Sequence, residues 1–277
     1  MKKIFLSFFL IFSSFSFLNA YSVNEKGEVT LTFGVVPQQS PLQMIKVWKP
    51  IVEELSKKTG YKINLKIEKS IPTFEKKLYA GYYDIAYSNP YHYVLANKYQ
   101  NHQAIVKFKK DIQGILVAKK DSKIENIEDF KGKEFLFPAP KAFAATILTK
   151  YELLEKGINI EESKKFKYVN SHDSVYLGID RKIGDIGGGI MRTFNNNNNN
   201  KIKDNLKIIY KTNRYPSHPI SVSGKLEYRM KSKIEFGLLS ISSKLTNNVK
   251  KGGITITYNS EYKEVKELAK KLRIYRK

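Results

Sequence analysis

The chain has 277 residues, with 49 Lys and Arg against 26 Asp and Glu, a formal net charge of +23 and no cysteine. The missing cysteines exclude disulfides, thiolate metal sites, a thiol nucleophile and a lipid-modified N-terminal cysteine. The positive charge is almost all lysine and is dispersed, which argues against an Arg-striped nucleic-acid reader and leaves a long-range preference for anions.

Residues 1–20 carry Lys2-Lys3, an apolar run and a small-residue end at Leu18-Asn19-Ala20. This reads as a secretory signal peptide cleaved after Ala20, too short for a transmembrane helix and followed by no stop-transfer pattern. The expected product is a periplasmic protein with no stable membrane anchor, long enough to build its core without disulfides.

Residues 29–33 read as a strand and 34–39 as a loop. Ser40-Pro41-Leu42-Gln43 is a helix start, with Ser at the cap, Pro first and Gln three after the cap. Ile45, Trp48, Ile51, Val52 and Leu55 then share one face up to Gly60, with a kink expected at Pro50 and Trp48 expected in the core. Ile63, Leu65 and Ile67 alternate in a strand over 61–67. A short helix over 73–80 closes at Gly81. The apolar strand 84–87 turns through Ser88-Asn89-Pro90 into another helix. Repeated strand–turn–helix units predict a parallel α/β sheet, whose ligands lie beyond the carboxyl ends of the strands. That brings 37–40 and 88–91 near one another.

The β-like runs 104–108 and 112–119, parted by Lys109-Lys110-Asp111, read as a first crossing between two lobes. After a helical turn at 127–130 comes EFLFPAPKAFAATILTKYELLEKG, residues 134–157. It reads as a strand over 134–137, a stop at Pro138-Ala139-Pro140, and a helix from Ala142 with Ile147, Tyr151 and Leu154 on one stripe and Gly157 at its end. Such a turn aims free N–H groups and the positive end of a helix dipole into a crevice. Strand 166–169 leads through Ser171-His172-Asp173-Ser174 into a helix bearing Val175, Tyr176 and Ile179. Strand 184–186 is closed by Gly187-Gly188-Gly189. The Asn run at 195–200 reads as a solvated loop. Strand 206–210 leads out, Pro216-Ser217-His218-Pro219 forms the return crossing, and a last helix over 261–274 shows Tyr262, Val265, Leu268 and Leu272 on one stripe. The expected organisation is two α/β lobes, the first from 21–110 and 215–277, the second from 111–214 inserted into it.

His92, His102, His172 and His218 have no metal-binding spacing. No nucleophile elbow or phosphate-cradling loop appears, and the triple glycine lacks dinucleotide spacing. No catalysis, cofactor or metal is expected. Binding a small anion instead requires helix N-termini and neutral donors converging in a cleft. The strand-to-helix turns offer Gln38, Gln39 and Ser40, then Ser88 and Asn89, then the backbone of Ala142, Phe143, Ala144, Ala145 and Thr146 with the Thr146 hydroxyl, then Ser171, His172, Asp173 and Ser174. His218 on the crossing joins them. Each alone is also explained as a cap or turn residue; their common side of two sheets points to a site.

The segments GVVPQQSPLQMIKVWKPIVEELSKKTGYKI, YAGYYDIAYSNPYHYVLA, ENIEDFKGKEFLFPAPKAFAATILTKYELLEKGI and SHDSVYLGIDRKIGDIGGG, in that order, resemble the phosphate/phosphite/phosphonate-binding proteins of ABC importers, of the type II periplasmic-binding-protein fold. The resemblance implies a small oxyanion (phosphonate, phosphite or phosphate-like) captured in an interlobe cleft and delivered to an inner-membrane ABC permease. A periplasmic sensor of the same fold, feeding a receptor or histidine kinase, remains the alternative. The resemblance places the first loop of the site at 37–40 and the strand-end turn at Tyr87-Ser88-Asn89. It places the second-lobe histidine at His172, followed by Asp173, and the return contact near His218; the imidazole itself is expected to donate, charged when paired. This chain departs from it in having Ala142-Phe143-Ala144 where a Ser-Thr-Ser type sequence is expected. That leaves backbone N–H groups with Thr146 or Lys141 as donors, and the expected aromatic is displaced to Tyr87.

Overall fold

The computed structural model describes residues 22–23, 27–195 and 200–271. The signal-peptide reading, most of the Asn run and Leu272 lie outside the described residues. In chain order the first elements are β1 (Ser22–Val23), β2 (Val29–Val35), α1 (Pro41–Thr59), β3 (Lys62–Ile67), α2 (Ile71–Tyr79), β4 (Ile85–Tyr87), α3 (Pro90–Gln100) and β5 (Gln103–Phe108). The middle of the chain forms β6 (Ile112–Lys119), a 3-10 turn at Ile127–Phe130, β7 (Phe135–Phe137), a π-helical turn at Phe143–Ile147 running into α4 (Leu148–Glu155), and α5 (Ile160–Ser163). Next come β8 (Phe166–Tyr168), α6 (His172–Asp180), β9 (Ile186–Ile190), α7 (Met191–Asn195), α8 (Asn200–Asp204) and β10 (Leu206–Tyr215). The chain returns through β11 (Pro219–Val222), α9 (Tyr228–Leu239), α10 (Ser243–Thr246), β12 (Ile254–Ile256) and α11 (Lys263–Lys271).

Two sheets result. One runs β1-β2-β4-β11-β5-β12, with β3 also paired to β2, and the other runs β10-β6-β9-β7-β8. The second sheet is drawn entirely from the chain between β5 and β11, so one α/β lobe is inserted into the other. Strand pairs β2–β3, β2–β4, β7–β8 and β7–β9 are parallel, as the strand–turn–helix repeats predict. In β6, Ile115 and Val117 feed one buried cluster and Leu116 and Ala118 another: the sheet is covered on both faces, which is why the strand reads as a continuous apolar run. Trp48 packs against Phe33 and Tyr87, with ring centroids 5.7 and 4.5 Å apart, and is a core residue.

Several sequence expectations shift by a residue or two. β2 continues through Gly34 and Val35, which pair with β3 and β4. Helix α1 runs unbroken through Pro50, and its buried face uses Met44 rather than Ile45, which is 43% exposed. Gly187-Gly188-Gly189 do not close β9 but form its interior. β10 extends to Tyr215. The ends of the Asn run are helical, closing α7 and opening α8. The last helix opens as a 3-10 turn at Asn259–Tyr262 and keeps Tyr262, Val265 and Leu268 buried.

Candidate functional site

The site is delivered by chain segments leaving parallel strands. β2 runs out into Val36 and Gln38, β4 into Ser88-Asn89, β7 into the residues before the π turn, and β8 into the start of α6. Val36, Gln38, Asn89, Ala142, Phe143, Ala144, Ala145 and His172 meet around one chamber, closed by Ile71, Ile112, Ile190 and His218. With the lobes docked it encloses about 10 Å³, the room of one water. Among the described residues its lining carries no carboxylate and no lysine or arginine. Its polar groups are two imidazoles and two amides.

The π turn shapes the second-lobe wall. The Ala142 carbonyl accepts from both the Thr146 and Ile147 N–H groups, at 2.9 and 3.2 Å, and the Leu148 N–H reaches Phe143 O. A π turn inserts one residue relative to an α-helix, which rotates the remainder of the helix about its axis. The buried face of α4 is therefore Leu148, Thr149, Glu152 and Leu153; of the predicted Ile147–Tyr151–Leu154 stripe, Ile147 is buried and Tyr151 packs against the core, while Leu154 is 48% exposed. The turn can lie so close to the sheet because Gly114 and Gly188 stand beneath it. A Cβ on either would press into the Ala144 or Ala145 carbonyl oxygen. The N–H groups of Phe143, Ala144 and Ala145 belong to the first helical turn, which has no intrahelical acceptor for them.

Both imidazoles are neutral. Burial, then the nearby charge of Arg192, pushes the His172 pKa down to about 3. The same two causes hold His218 well below the usual histidine range. Without a partner among the described residues of the chamber, the His172 ring carries no charge. Its Nδ1 is buried without a hydrogen-bond partner among the described residues, a costly state for a polar atom. The Gln38 amide donates to His218 Nε2 at 3.0 Å, which leaves the His218 proton on Nδ1. The Gln38 oxygen accepts from Arg192. His218 stacks on Tyr87, with centroids 5.2 Å apart.

The lobes are tied directly. Ser40 N–H donates to Asp173 Oδ2 at 3.1 Å, Asn89 Nδ2 donates to Lys141 O at 3.1 Å, and Lys141 pairs with Glu75 at 3.5 Å. Within the inserted lobe, Phe143 meets the ring of Tyr215, the last residue of β10, edge-on at 5.4 Å.

Of the residues expected from sequence, Gln38, Asn89, Ala142, Phe143, Ala144, Ala145, His172 and His218 come together at the chamber. Gln39, Ser40 and Asp173 line a separate groove of about 710 Å³. Thr146 faces another pocket, beside Lys150 and Tyr168, and its buried hydroxyl has no partner among the described residues; the added residue of the π turn carries it off the chamber wall. Ser88 is fully buried and lines none of these spaces; its N–H bonds Pro219 O at 3.3 Å. Lys141 is taken up by Glu75. Tyr87 lines a cavity of about 520 Å³ that shares Ile112, Ile190 and His218 with the chamber. Sequence reasoning missed that cavity and its Lys110, Arg192, Arg214, Lys250 and Lys251. The available signal was arginine in a lysine-dominated chain, with Arg192 just beyond the end of β9. The apolar wall at Val36, Ile71, Ile112 and Ile190 carries no comparable signal.

A family model described as ABC transporter, phosphonate, periplasmic substrate-binding protein matches residues 33–266. The phosphonates-binding periplasmic protein of Escherichia coli (strain K12) is 25% identical over 249 residues, covering 81% of this chain and 72% of that protein. The phosphate-import protein PhnD of Mycolicibacterium smegmatis is 23% identical over 173 residues, covering 57% of this chain and 54% of that protein. Among solved structures, PhnD1 from Prochlorococcus marinus (MIT 9301) in complex with methylphosphonate superposes with a TM-score of 0.81 at 19% identity, covering 88% of this chain and 98% of that one.

Proposed function

The chain belongs to the periplasmic substrate-binding proteins of phosphonate ABC transporters, and we propose that it captures a small phosphonate-class oxyanion, or phosphate or phosphite, between its lobes for an inner-membrane permease. The observation that carries this reading is the orphaned, buried Nδ1 of His172 on the wall of a chamber free of carboxylates. An anion with several acceptor oxygens answers that nitrogen, the first-turn amides at Phe143, Ala144 and Ala145, and the Asn89 and Gln38 amides. Hydrogen bonds to a charged group contribute about 1.5–3 kcal/mol each. Three or four give micromolar affinity after ordering costs. Because the docked chamber has room for one water, the anion enters with the lobes apart, and hinge closure follows. It is held and released chemically unchanged. The family model and the curated relatives are of transport components, and the sensor alternative has no such support.

A melting-point screen with phosphate, phosphite and methylphosphonate tests the reading. A ligand that binds only the folded form raises the midpoint, and a rise is expected with at least one of them. No rise with any would remove oxyanion capture as the function. His172→Ala should then weaken that ligand at least roughly tenfold in calorimetry, the loss of about one such bond. Unchanged affinity would take the imidazole out of the site.

Asp173 reports on closure. Burial raises its carboxyl pKa while the Ser40 N–H lowers it, so part of the bond is offset by desolvation. Asp173→Ala should shift the closed–open balance by only about 1 kcal/mol, roughly fivefold toward open. Small-angle scattering without ligand would show this as a larger radius of gyration, and an unchanged radius would exclude Asp173 as a latch.

A further inference from the structure

We propose that the 520 Å³ cavity beside the chamber is a second anionic subsite, so that the preferred ligands carry a negative group at both ends. The inference rests on oxyanion capture in the chamber and adds what the rest of the ligand must be. The cavity lies at both crossings between the lobes and is far larger than the chamber, with Ile112, Ile190 and His218 as shared wall. A ligand anchored by its oxyanion head at His172 can therefore extend past His218 without leaving the cleft.

Charge selects the second end. Lys110, Arg192, Arg214, Lys250 and Lys251 line the cavity against the single carboxylate of Asp111. None of these five cations has an ion pair among the described residues. Lys250 is fixed by donating to the backbone carbonyls of Lys110 and, at 3.1 Å, Asp111. Burial, followed by the repulsion of Arg192, pushes its pKa down to about 7. Arg192 bonds the neutral Gln38 oxygen, and its charge is felt at both His172 and His218. Two half-buried cations that repel each other are relieved by an anion between them. A carboxylate or second phosphoryl group fits that place; an ammonium group is repelled. The substrate class is then a short organic dianion such as a phosphonocarboxylate, in preference to a zwitterionic aminoalkylphosphonate.

Titration calorimetry with 3-phosphonopropionate, 2-aminoethylphosphonate and methylphosphonate on the full mature chain decides this. The expected order is 3-phosphonopropionate tightest, at least roughly tenfold over methylphosphonate, with 2-aminoethylphosphonate weakest. The pair Arg214→Gln and Lys250→Gln should bring the first ratio to within about threefold. Lys49→Gln, on the exposed face of α1 and paired with Glu53, should leave it as in the native chain. Equal affinity for the three ligands, or collapse of the ratio in Lys49→Gln as well, overturns the second subsite while oxyanion capture stands. Binding of none of the three overturns the second subsite, and oxyanion capture falls with it only if phosphate and phosphite also leave the melting midpoint unchanged.

Discussion

Gly188→Ala is expected to lower the melting midpoint by about 2–12 °C and to weaken the bound oxyanion roughly a hundredfold. The added Cβ has nowhere to go. On one side it meets the Ala145 carbonyl oxygen, and on the other it stands 2.5 Å from the Phe137 ring. Backbone cannot rotate aside as a side-chain tip can, so the π turn must lift off β9. Overpacking of this kind costs about 1–3 kcal/mol, which for a chain of this size is a shift of about 2–4 °C per kcal/mol. The ligand loses more than the fold does, because the lifted turn carries the Phe143, Ala144 and Ala145 amides. Two charge-assisted bonds of about 1.5 kcal/mol each amount to roughly a hundredfold. Gly114→Ala strikes the neighbouring carbonyl of Ala144 and also stands 2.9 Å from Thr212 Cγ2, so it should behave alike. Thermal denaturation and calorimetry on the same preparation check both parts. A variant that melts normally and binds normally would show that the turn is not held by this contact.

Acid should destabilise the protein before most of its carboxylates titrate. Burial is the chief cause in three histidines: His172 is pushed down to about 3, His102 to about 4, and His218 well below its ordinary range. In the unfolded chain all three return to about 6.5. Below that pH the unfolded state binds protons that the folded state refuses. The stabilisation from neutral burial is therefore complete above about pH 6.5 and is lost as pH falls toward the folded values. Each histidine contributes a slope of up to about 1.4 kcal/mol per pH unit in that window. Asp84 and Asp173, whose carboxyl pKa values burial raises, act in the opposite sense at lower pH. Urea melts at about pH 8, 6.5 and 5.5 are expected to give a fall of about 1 kcal/mol over the first step and a larger one, about 3 kcal/mol, over the second. A flat profile down to the lowest of these would mean that the rings are not buried neutral.

Much of the frame was legible because local rules and the global fold agree. Ser40-Pro41, Asn89-Pro90 and Ser171 do open helices α1, α3 and α6, and alternating or continuous apolar runs do form the strands. The mismatches come from backbone geometry that residue type does not encode. The triple glycine looks like a strand end by propensity, yet it is strand interior because Val175, Tyr176 and the π turn approach it too closely for any side chain. The π turn itself has no sequence signature here, and it moves Thr146 off the chamber and Leu154 into solvent. Seven of the eight residues that reach the chamber were found because they sit on strand-to-helix turns, and His218 because it lies on the return crossing. The basic cavity was missed because its cations come from four separate places in a chain already rich in lysine, where no one of them stands out.

The wall between the lobes is hydrocarbon: Ile112, Phe143 and Ile190 belong to the same buried cluster as Phe33 and Trp48. Parting the halves therefore wets surface that prefers to be dry, and the empty molecule already leans toward being shut. A guest with only a handful of atoms need not supply the drive for that movement, and can commit its few contacts to replacing its own hydration shell.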